Sequence, residues 1–376
     1  MDDFKPFLQI VHISDLHVSD PKSAEAAGLR NWIRKLRKVL PDEIMKLIED
    51  GTAPHDQLAV GLFKRFLTEI TSNDPDWAQC KTWLLDTGDL TSLGDQNSLK
   101  LGKFYLGELK KVCPEQAGVY GNHDAWPGKF PAWAASSDFD DQKKVLAGQD
   151  YTVGSPGLAL TVPIPHGHGD VRLFFVDSIK HDRINNTLAL GEVGTPQLGA
   201  FRTLVDLNYQ ADRRDLRILA VHHPVHYPPP RSSFQMSMKD DANVAKEIDT
   251  PAPNGPYPLA HLVLSGHTHY LYPQHGSLPL QPSKCIHPDL GDDECQFVVG
   301  TLMQLDKYDL RGRWPHQCVV LRLYYSPSDP SVLLMERLLA ARQTGLEYRG
   351  TGFGPYGFVP LQNNAGEIAE EITFTL

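Results

Sequence analysis

The stretch Phe7-Leu8-Gln9-Ile10-Val11-His12-Ile13-Ser14-Asp15-Leu16-His17 decides the architecture. Its first seven residues form a short apolar run, β-branched toward its end, which is the composition of a strand; it stops at Ser14-Asp15-Leu16-His17. Working outward, the same construction recurs four times. Gly88-Asp89-Leu90-Thr91 follows a strand over residues 82–86, and Gly121-Asn122-His123-Asp124 follows a short strand that ends at Tyr120. His222-His223-Pro224 follows residues 216–221, and Gly266-His267-Thr268-His269 follows residues 259–264.

Between these strands the pattern turns helical. Leu29, Trp32, Ile33, Leu36 and Leu40 recur at helical spacing with Arg30, Arg34, Arg37 and Lys38 on other faces, and a second helix runs from about residue 57 to 70. A mainly helical insertion, residues 20–78, therefore separates the first two clusters and ends in the turn-rich Ser72-Asn73-Asp74-Pro75. Helices are expected at 98–112 and 197–207, with a polar helical stretch before residue 259, and further strands at 171–176, 296–302 and 319–325. Strands alternating with helices make an α/β protein. Residues 1–325 read as one domain; Ser326-Pro327-Ser328-Asp329-Pro330 breaks the chain, and 326–376 reads as a carboxyl-terminal extension.

A chain of 376 residues suffices for two to three average domains or one elaborated domain, and 41% hydrophobic with 22% charged residues is an ordinary globular balance. The formal net charge of -10 repels a phosphate backbone, so no binding of duplex nucleic acid is expected. Asp2 and Asp3 stand where a secretory signal would be basic, and no run approaches the ~18 apolar residues of a membrane span, so a cytoplasmic protein is expected. The five cysteines are scattered without paired spacing and read as reduced, packed thiols, although Cys285 and Cys295 flank one loop and could pair.

Singly, each polar cluster says little, since an isolated His-x-His is more often incidental. Jointly they place Asp, Asn and His side chains at five successive strand ends. In open α/β sheets ligands bind beyond the carboxyl ends of the strands, so these side chains can converge. A mixed nitrogen and oxygen set suits Zn, Mn or Fe.

The order D-x-H, GD, GNHD, strand-end His and GHxH resembles the calcineurin-like metallophosphoesterase superfamily over roughly residues 9–270. The wording is closest to the bacterial branch of cyclic-nucleotide phosphodiesterases and glycerophosphodiesterases. The resemblance implies a four-layer α/β/β/α sandwich of two mixed sheets with flanking helices, and two metal ions of Mn, Fe or Zn. It implies a first ion on Asp15, His17 and His269, a second on Asn122, His222 and His267, and Asp89 bridging both. His222 is taken as the ligand of the His pair with His223 supporting it, and the reverse assignment stays open. A hydroxide shared by the ions would attack phosphorus. His123 would face the phosphate, with Asp124 orienting its imidazole. The function so implied is a phosphodiesterase acting on a small phosphoester, a 3′,5′-cyclic nucleotide being one candidate. Alternatives are a phosphomonoesterase, a glycerophospho- or phospholipid diesterase, and a non-catalytic scaffold of the same fold. Ser92 stands where relatives often carry Asp, which implies altered support of the site. Asp86 reads as a hydrogen-bonded strand-end carboxylate.

Substrate contacts are less legible. Trp126, Phe130 and Trp133 could wall a base or ester group or pack a loop, and Arg231 could meet a phosphate or be solvated. Residues 165–170 read as a hairpin turn, and the basic helix near residue 34 reads as a solvated face or a cap over the site.

Overall fold

The computed structural model describes residues 4–20, 31, 33–35, 37–38, 55, 57–125, 156–166, 169–179, 189–211, 213–225, 238–250, 258–268, 295–299, 302, 316–329, 331–342, 358–360 and 369–376. Its elements are β1 (Lys5–Ile13), α1 (Gln57–Thr71), β2 (Lys81–Asp86), α2 (Gln96–Lys110), β3 (Glu115–Gly118), β4 (Gly157–Pro163) and β5 (Asp170–Phe175). They continue with α3 (Thr195–Leu207), β6 (Leu216–Ala220), α4 (Asp241–Ile248), β7 (Leu262–Ser265) and β8 (Cys295–Val298). The last are β9 (Gln317–Tyr325), β10 (Val332–Arg342), β11 (Phe358–Pro360) and β12 (Ala369–Thr375).

Successive side chains of a strand point to opposite faces, and the apolar run of β1 uses both. Leu8 and Ile10 enter the core between two sheets, whereas Val11 and Ile13 lie under helices. β1 pairs in parallel with β2, and β2 in parallel with β3. On its other edge β1 pairs antiparallel with β9, then β10, whose far side takes β11 and β12. The second sheet runs β4-β5-β6-β7-β8, with β4 antiparallel and the rest parallel.

The burial pattern makes four layers. Phe63 and Leu67 of α1 and Leu99 and Leu106 of α2 pack on Val11, Ile13 and Leu84 of the first sheet. Ile10, Trp83, Leu85 and Leu321 meet Leu173, Phe175, Ile218 and Leu264 between the sheets. Phe201 of α3 and Val244 and Ile248 of α4 cover Phe174, Leu219 and Val263 on the outer face. The fold is thus the expected α/β/β/α arrangement of two mixed sheets with flanking helices. α2 begins at Gln96, ahead of the expected residue 98, because the Asp95 carboxylate accepts from the backbone N–H of Asn97 (3.1 Å) and Ser98 (3.0 Å).

β10 was not expected as a strand. Its residues, Leu, Met, Glu, Arg and Ala among them, favour helices intrinsically, and pairing on both sides with β9 and β12 overrides that preference. Leu333 and Met335 thereby join the core between the sheets. The turn expected at residues 165–170 does join antiparallel strands, β4 and β5. At the amino ends of β5 and β6, away from the polar clusters, Arg172 pairs with Asp170 (2.8 Å) and Asp215 (2.9 Å), and Arg213 reaches Asp170 (2.7 Å). Among the described residues, no helix is long and apolar enough to cross a membrane.

Candidate metal centre

The clusters meet at the carboxyl ends of both sheets, where backbone hydrogen bonds lock one loop to the next. Asp15 N–H donates to Gly88 O and His17 N–H to Asp89 O (both 2.9 Å); Gly266 N–H donates to His222 O (3.1 Å). Asp15, His17, Asp89 and His267 have φ of 54°, 49°, 54° and 70°, in the left-handed region that a side chain disfavours. Four ligand candidates in that region suggest local strain held by the surrounding loops, as functional sites often show. The loops also approach closely: a Cβ on Gly121 would lie 2.0 Å from Asp89 Oδ1.

His222 sets the character of the site. Its Nδ1 is 2.7 Å from the Thr87 carbonyl oxygen, which can only accept, so Nδ1 carries the proton and Nε2 of the neutral ring a lone pair. That lone pair faces Asn122 Oδ1 at 3.1 Å, Asp89 Oδ2 at 3.4 Å and His267 Nδ1 at 3.1 Å. Asp89 Oδ2 and Asn122 Nδ2 have no hydrogen-bond partner among the described residues. Buried acceptors crowded together repel unless a cation lies among them. Donor atoms ~2.1 Å from one ion are separated by about 3.0–3.4 Å, which is the spacing here. The donor set therefore fits a metal ion.

On the other side of Asp89, His17 Nε2 lies 3.7 Å from Asp89 Oδ2 and 3.9 Å from Asp15 Oδ1. Asp89 Oδ2 thus faces two groups of donors, as a bridging carboxylate would. Without metal, a proton takes the cation's place: burial acts to lower the His222 pKa, but the Asp89 carboxylate outweighs it and raises it to about 9. Burial acts to raise the Asp89 carboxyl, yet His222, His123 and His17 together hold it well below the usual carboxylate range. Burial keeps His223 neutral, well below its ordinary value, with His267 and His222 acting the same way.

His123 packs edge-on against His17, ring centroids 4.6 Å apart, and its backbone N–H donates to Asp89 Oδ1 (2.8 Å). Ligand-capable atoms of His17, Asp89 and His123 lie within 4.8 Å of one another. The His123 ring is oriented by Ser92, whose carbonyl oxygen is 2.9 Å from Nδ1, and not through a contact with Asp124 as expected from the sequence. The buried Asp124 carboxylate accepts instead from the N–H of Leu90, Thr91 and Gly121 and from Thr91 Oγ1, stapling two ligand loops together. Burial and the Asp89 charge push it up to about 7 against those hydrogen bonds. Ser92 also donates from Oγ to the His17 carbonyl (2.6 Å), so the residue that departs from the common wording supports both a ligand loop and His123. Asp86 is the hydrogen-bonded strand-end carboxylate expected, accepting from Gly88 N–H (3.0 Å).

A family model described as calcineurin-like phosphoesterase matches residues 8–271. The chain belongs to the calcineurin-like phosphoesterase family. No curated protein matches its sequence. Among solved structures it is similar to a purple acid phosphatase from yellow lupin (Lupinus luteus) seeds, at 11% identity and a TM-score of 0.47 over 99% of this chain and 54% of that one. A Thermus thermophilus sulfate thiohydrolase in complex with glycerol is similar at 13% identity and a TM-score of 0.40, over 99% of this chain and 56% of that one. The chain thus spans about half the length of these structures.

Of the residues that the calcineurin-like pattern singles out, the structure brings together Asp15, His17, Asp89, Asn122, His123, Asp124, His222, His223 and His267. His269, Trp126 and Arg231 lie outside the described residues, as do Phe130 and Trp133. Sequence reasoning missed Thr87 as the residue that orients His222, and Ser178, whose Oγ lies 2.8 Å from His223 Nδ1. Thr87 acts through a carbonyl that any residue supplies, and Ser178 lies 45 residues from His223 in the sequence with no motif joining them.

Proposed function

We propose that the chain hydrolyses a phosphoric ester, a diester in preference to a monoester, at a centre of two metal ions shared by Asp89. The observation that carries the reading is the convergence of acceptors on both sides of Asp89 Oδ2, at 3.4 Å to His222 and 3.7 Å to His17. Asp15, His17 and His269 would hold the first ion, and Asn122, His222 and His267 the second. When bound, two cations supply charge neutralisation of phosphoryl oxygens and acidify a water between them. Neutral Asn122 contributes an oxygen without adding negative charge that would repel the substrate. With its Nδ1 fixed on the Ser92 carbonyl, His123 offers Nε2 for proton exchange, donating to the leaving oxygen or stabilising developing charge.

The diester preference rests on the motif wording, with glycerophosphodiesters and 3′,5′-cyclic nucleotides as the compounds to try. The test is a panel on Mn-, Fe- and Zn-reconstituted protein containing a generic diester, a monoester, cyclic AMP and glycerophosphodiesters. Faster diester hydrolysis is expected. A faster monoester rate overturns the preference, and no hydrolysis with any metal overturns the enzyme reading in favour of a scaffold.

A further inference from the structure

The two outer helical layers differ in charge. α1 and α2, with the capping Lys111, carry Lys64, Arg65, Lys100, Lys103, Lys110 and Lys111 against Glu69 and Glu108, six cations to two carboxylates and a net +4. α3 and α4 carry Arg202 and Lys246 against Asp206, Asp241 and Glu247, a net -1. In a chain of net charge -10 the first layer is a local reversal of sign. Its own cations engage both of its carboxylates: Glu108 pairs with Lys64 (2.9 Å) and Lys111, and Glu69 with Arg65 (3.0 Å). The connection that enters α1 adds Arg34, Lys35, Arg37 and Lys38, all exposed.

The same face holds apolar side chains in water. On α2, Asn97, Lys100, Phe104 and Lys111 are exposed at helical spacing, on the side opposite the buried Leu99, Leu106 and Leu109. Phe104 is 59% exposed, and Leu58, on the outward stripe of α1 with Arg65, is 70% exposed. A single exposed apolar residue is ordinary. Phe104 differs in standing between two lysines on one narrow stripe.

This make-up suits an anionic lipid surface better than other polyanions. Cations near anionic headgroups each strengthen attachment, and an aromatic side chain enters the boundary between headgroups and acyl chains. Nucleic-acid phosphates would meet the cations but leave Phe104 and Leu58 in water. A stable protein interface needs a packed apolar centre within ~800 Å² on each partner, which two separate side chains on a convex helical layer do not supply. The opposite helical layer lies beyond two sheets that pack ~10 Å apart, farther than the Debye length of ~8 Å at physiological salt, so its negative charge is screened from the contact.

We propose that the outer face of α1 and α2 docks the protein on an anionic lipid bilayer, with Phe104 entering the interface between Lys100 and Lys111. α2 starts just beyond the Ser92 loop, so the docking face adjoins the end of the fold that carries the polar clusters. The inference is independent of which phosphoester the centre hydrolyses.

Sedimentation of the full-length protein with phosphatidylcholine vesicles, prepared with and without phosphatidylglycerol, tests it. No divalent ion is added, so that metal does not bridge protein carboxylates to lipid phosphates. Binding is expected on the phosphatidylglycerol vesicles alone, and it should fall as salt approaches 1 M, where the Debye length is ~3 Å. Lys100→Gln should weaken it about fivefold, the effect of one cation near such a surface. Phe104→Ser should weaken it about five- to tenfold through lost apolar burial. Lys246→Gln, on exposed α4 surface in the opposite layer, should bind as wild type does. All three positions are exposed or face solvent, and thermal melting confirms that each variant folds. No sedimentation with anionic vesicles, equal sedimentation with neutral ones, or wild-type binding by Lys100→Gln or Phe104→Ser overturns the proposal. An equal loss in Lys246→Gln overturns it as well, because the attraction would then not belong to this face.

Discussion

His222 Nε2 and Asn122 Oδ1 face each other at 3.1 Å, although the tautomer fixed by the Thr87 carbonyl makes both of them acceptors. In the metal-free protein the conflict is relieved by protonating His222, whose pKa rises to about 9 because the Asp89 carboxylate outweighs the opposing effect of burial. An entering ion must displace that proton, so metal affinity should rise with pH up to about 9, by at most tenfold per unit for one proton. The same shift has a stability sign. The folded value lies above the unfolded one, so the metal-free fold gains stability that is fully present below about 6.5 and is lost as pH rises through about 9. Mn titrations by calorimetry in two buffers of different ionisation enthalpy check both affinity and proton release. A pH-independent affinity between 6 and 9 would contradict the assignment.

His123 lies within ligand reach of His17 and Asp89, so geometry alone does not exclude it as a ligand. Its Nδ1 is taken by the Ser92 carbonyl, and the chemistry proposed for Nε2 is proton exchange. His123→Ala should therefore keep both ions, measured by elemental analysis, while kcat falls by about 10²–10⁴. Loss of an ion would instead make His123 a ligand.

How far the sequence was legible follows from which atoms do the work. Asp15, His17, Asp89, Asn122, His222 and His267 act through side chains whose chemistry is written in the sequence, and the apolar runs before them announce the strands that carry them. Thr87 and Ser92 act on His222 and His123 through backbone carbonyls, and a carbonyl leaves no trace in residue type. The resemblance to the calcineurin-like superfamily implies that Asp124 orients the His123 imidazole. Its carboxylate turns instead to the N–H groups of Leu90, Thr91 and Gly121, which only the folded loops bring near. β10 was missed for a different reason: a helix-favouring composition was overruled by partners on both edges, one of them contributed from beyond residue 368.

The buried charges at the opposite end of the second sheet make a separate prediction. Arg172 is held between Asp170 and Asp215 with little exposure to water, so Arg172→Ala leaves buried Asp215 without its ion-pair partner and Asp170 with Arg213 alone. Breaking such a pair from one side costs about 3–5 kcal/mol. Urea unfolding of metal-free protein should show that loss, while metal affinity of the folded fraction stays unchanged because these residues lie at the amino ends of β5 and β6. A loss below ~1 kcal/mol, the range of surface pairs, would mean that water reaches the cluster.

Two Gly→Ala substitutions separate site geometry from backbone entropy. At Gly121 the new methyl would lie 2.0 Å from Asp89 Oδ1 and 2.2 Å from Asp89 N, both fixed by the loops that hold the ligands. Relief requires moving the bridging carboxylate, and Gly121→Ala should abolish binding of both ions. At Gly107, inside α2, nothing lies within 4 Å of the added methyl. Gly107→Ala should stabilise by about 0.4–1 kcal/mol, since Ala has less backbone freedom to lose on folding. Thermal melting and metal titration of the pair check this together: Gly107→Ala melts higher with unchanged metal binding, whereas Gly121→Ala loses metal even where it remains folded. Retention of two ions by Gly121→Ala would show that Asp89 has room to move and is not the fixed bridge of the site.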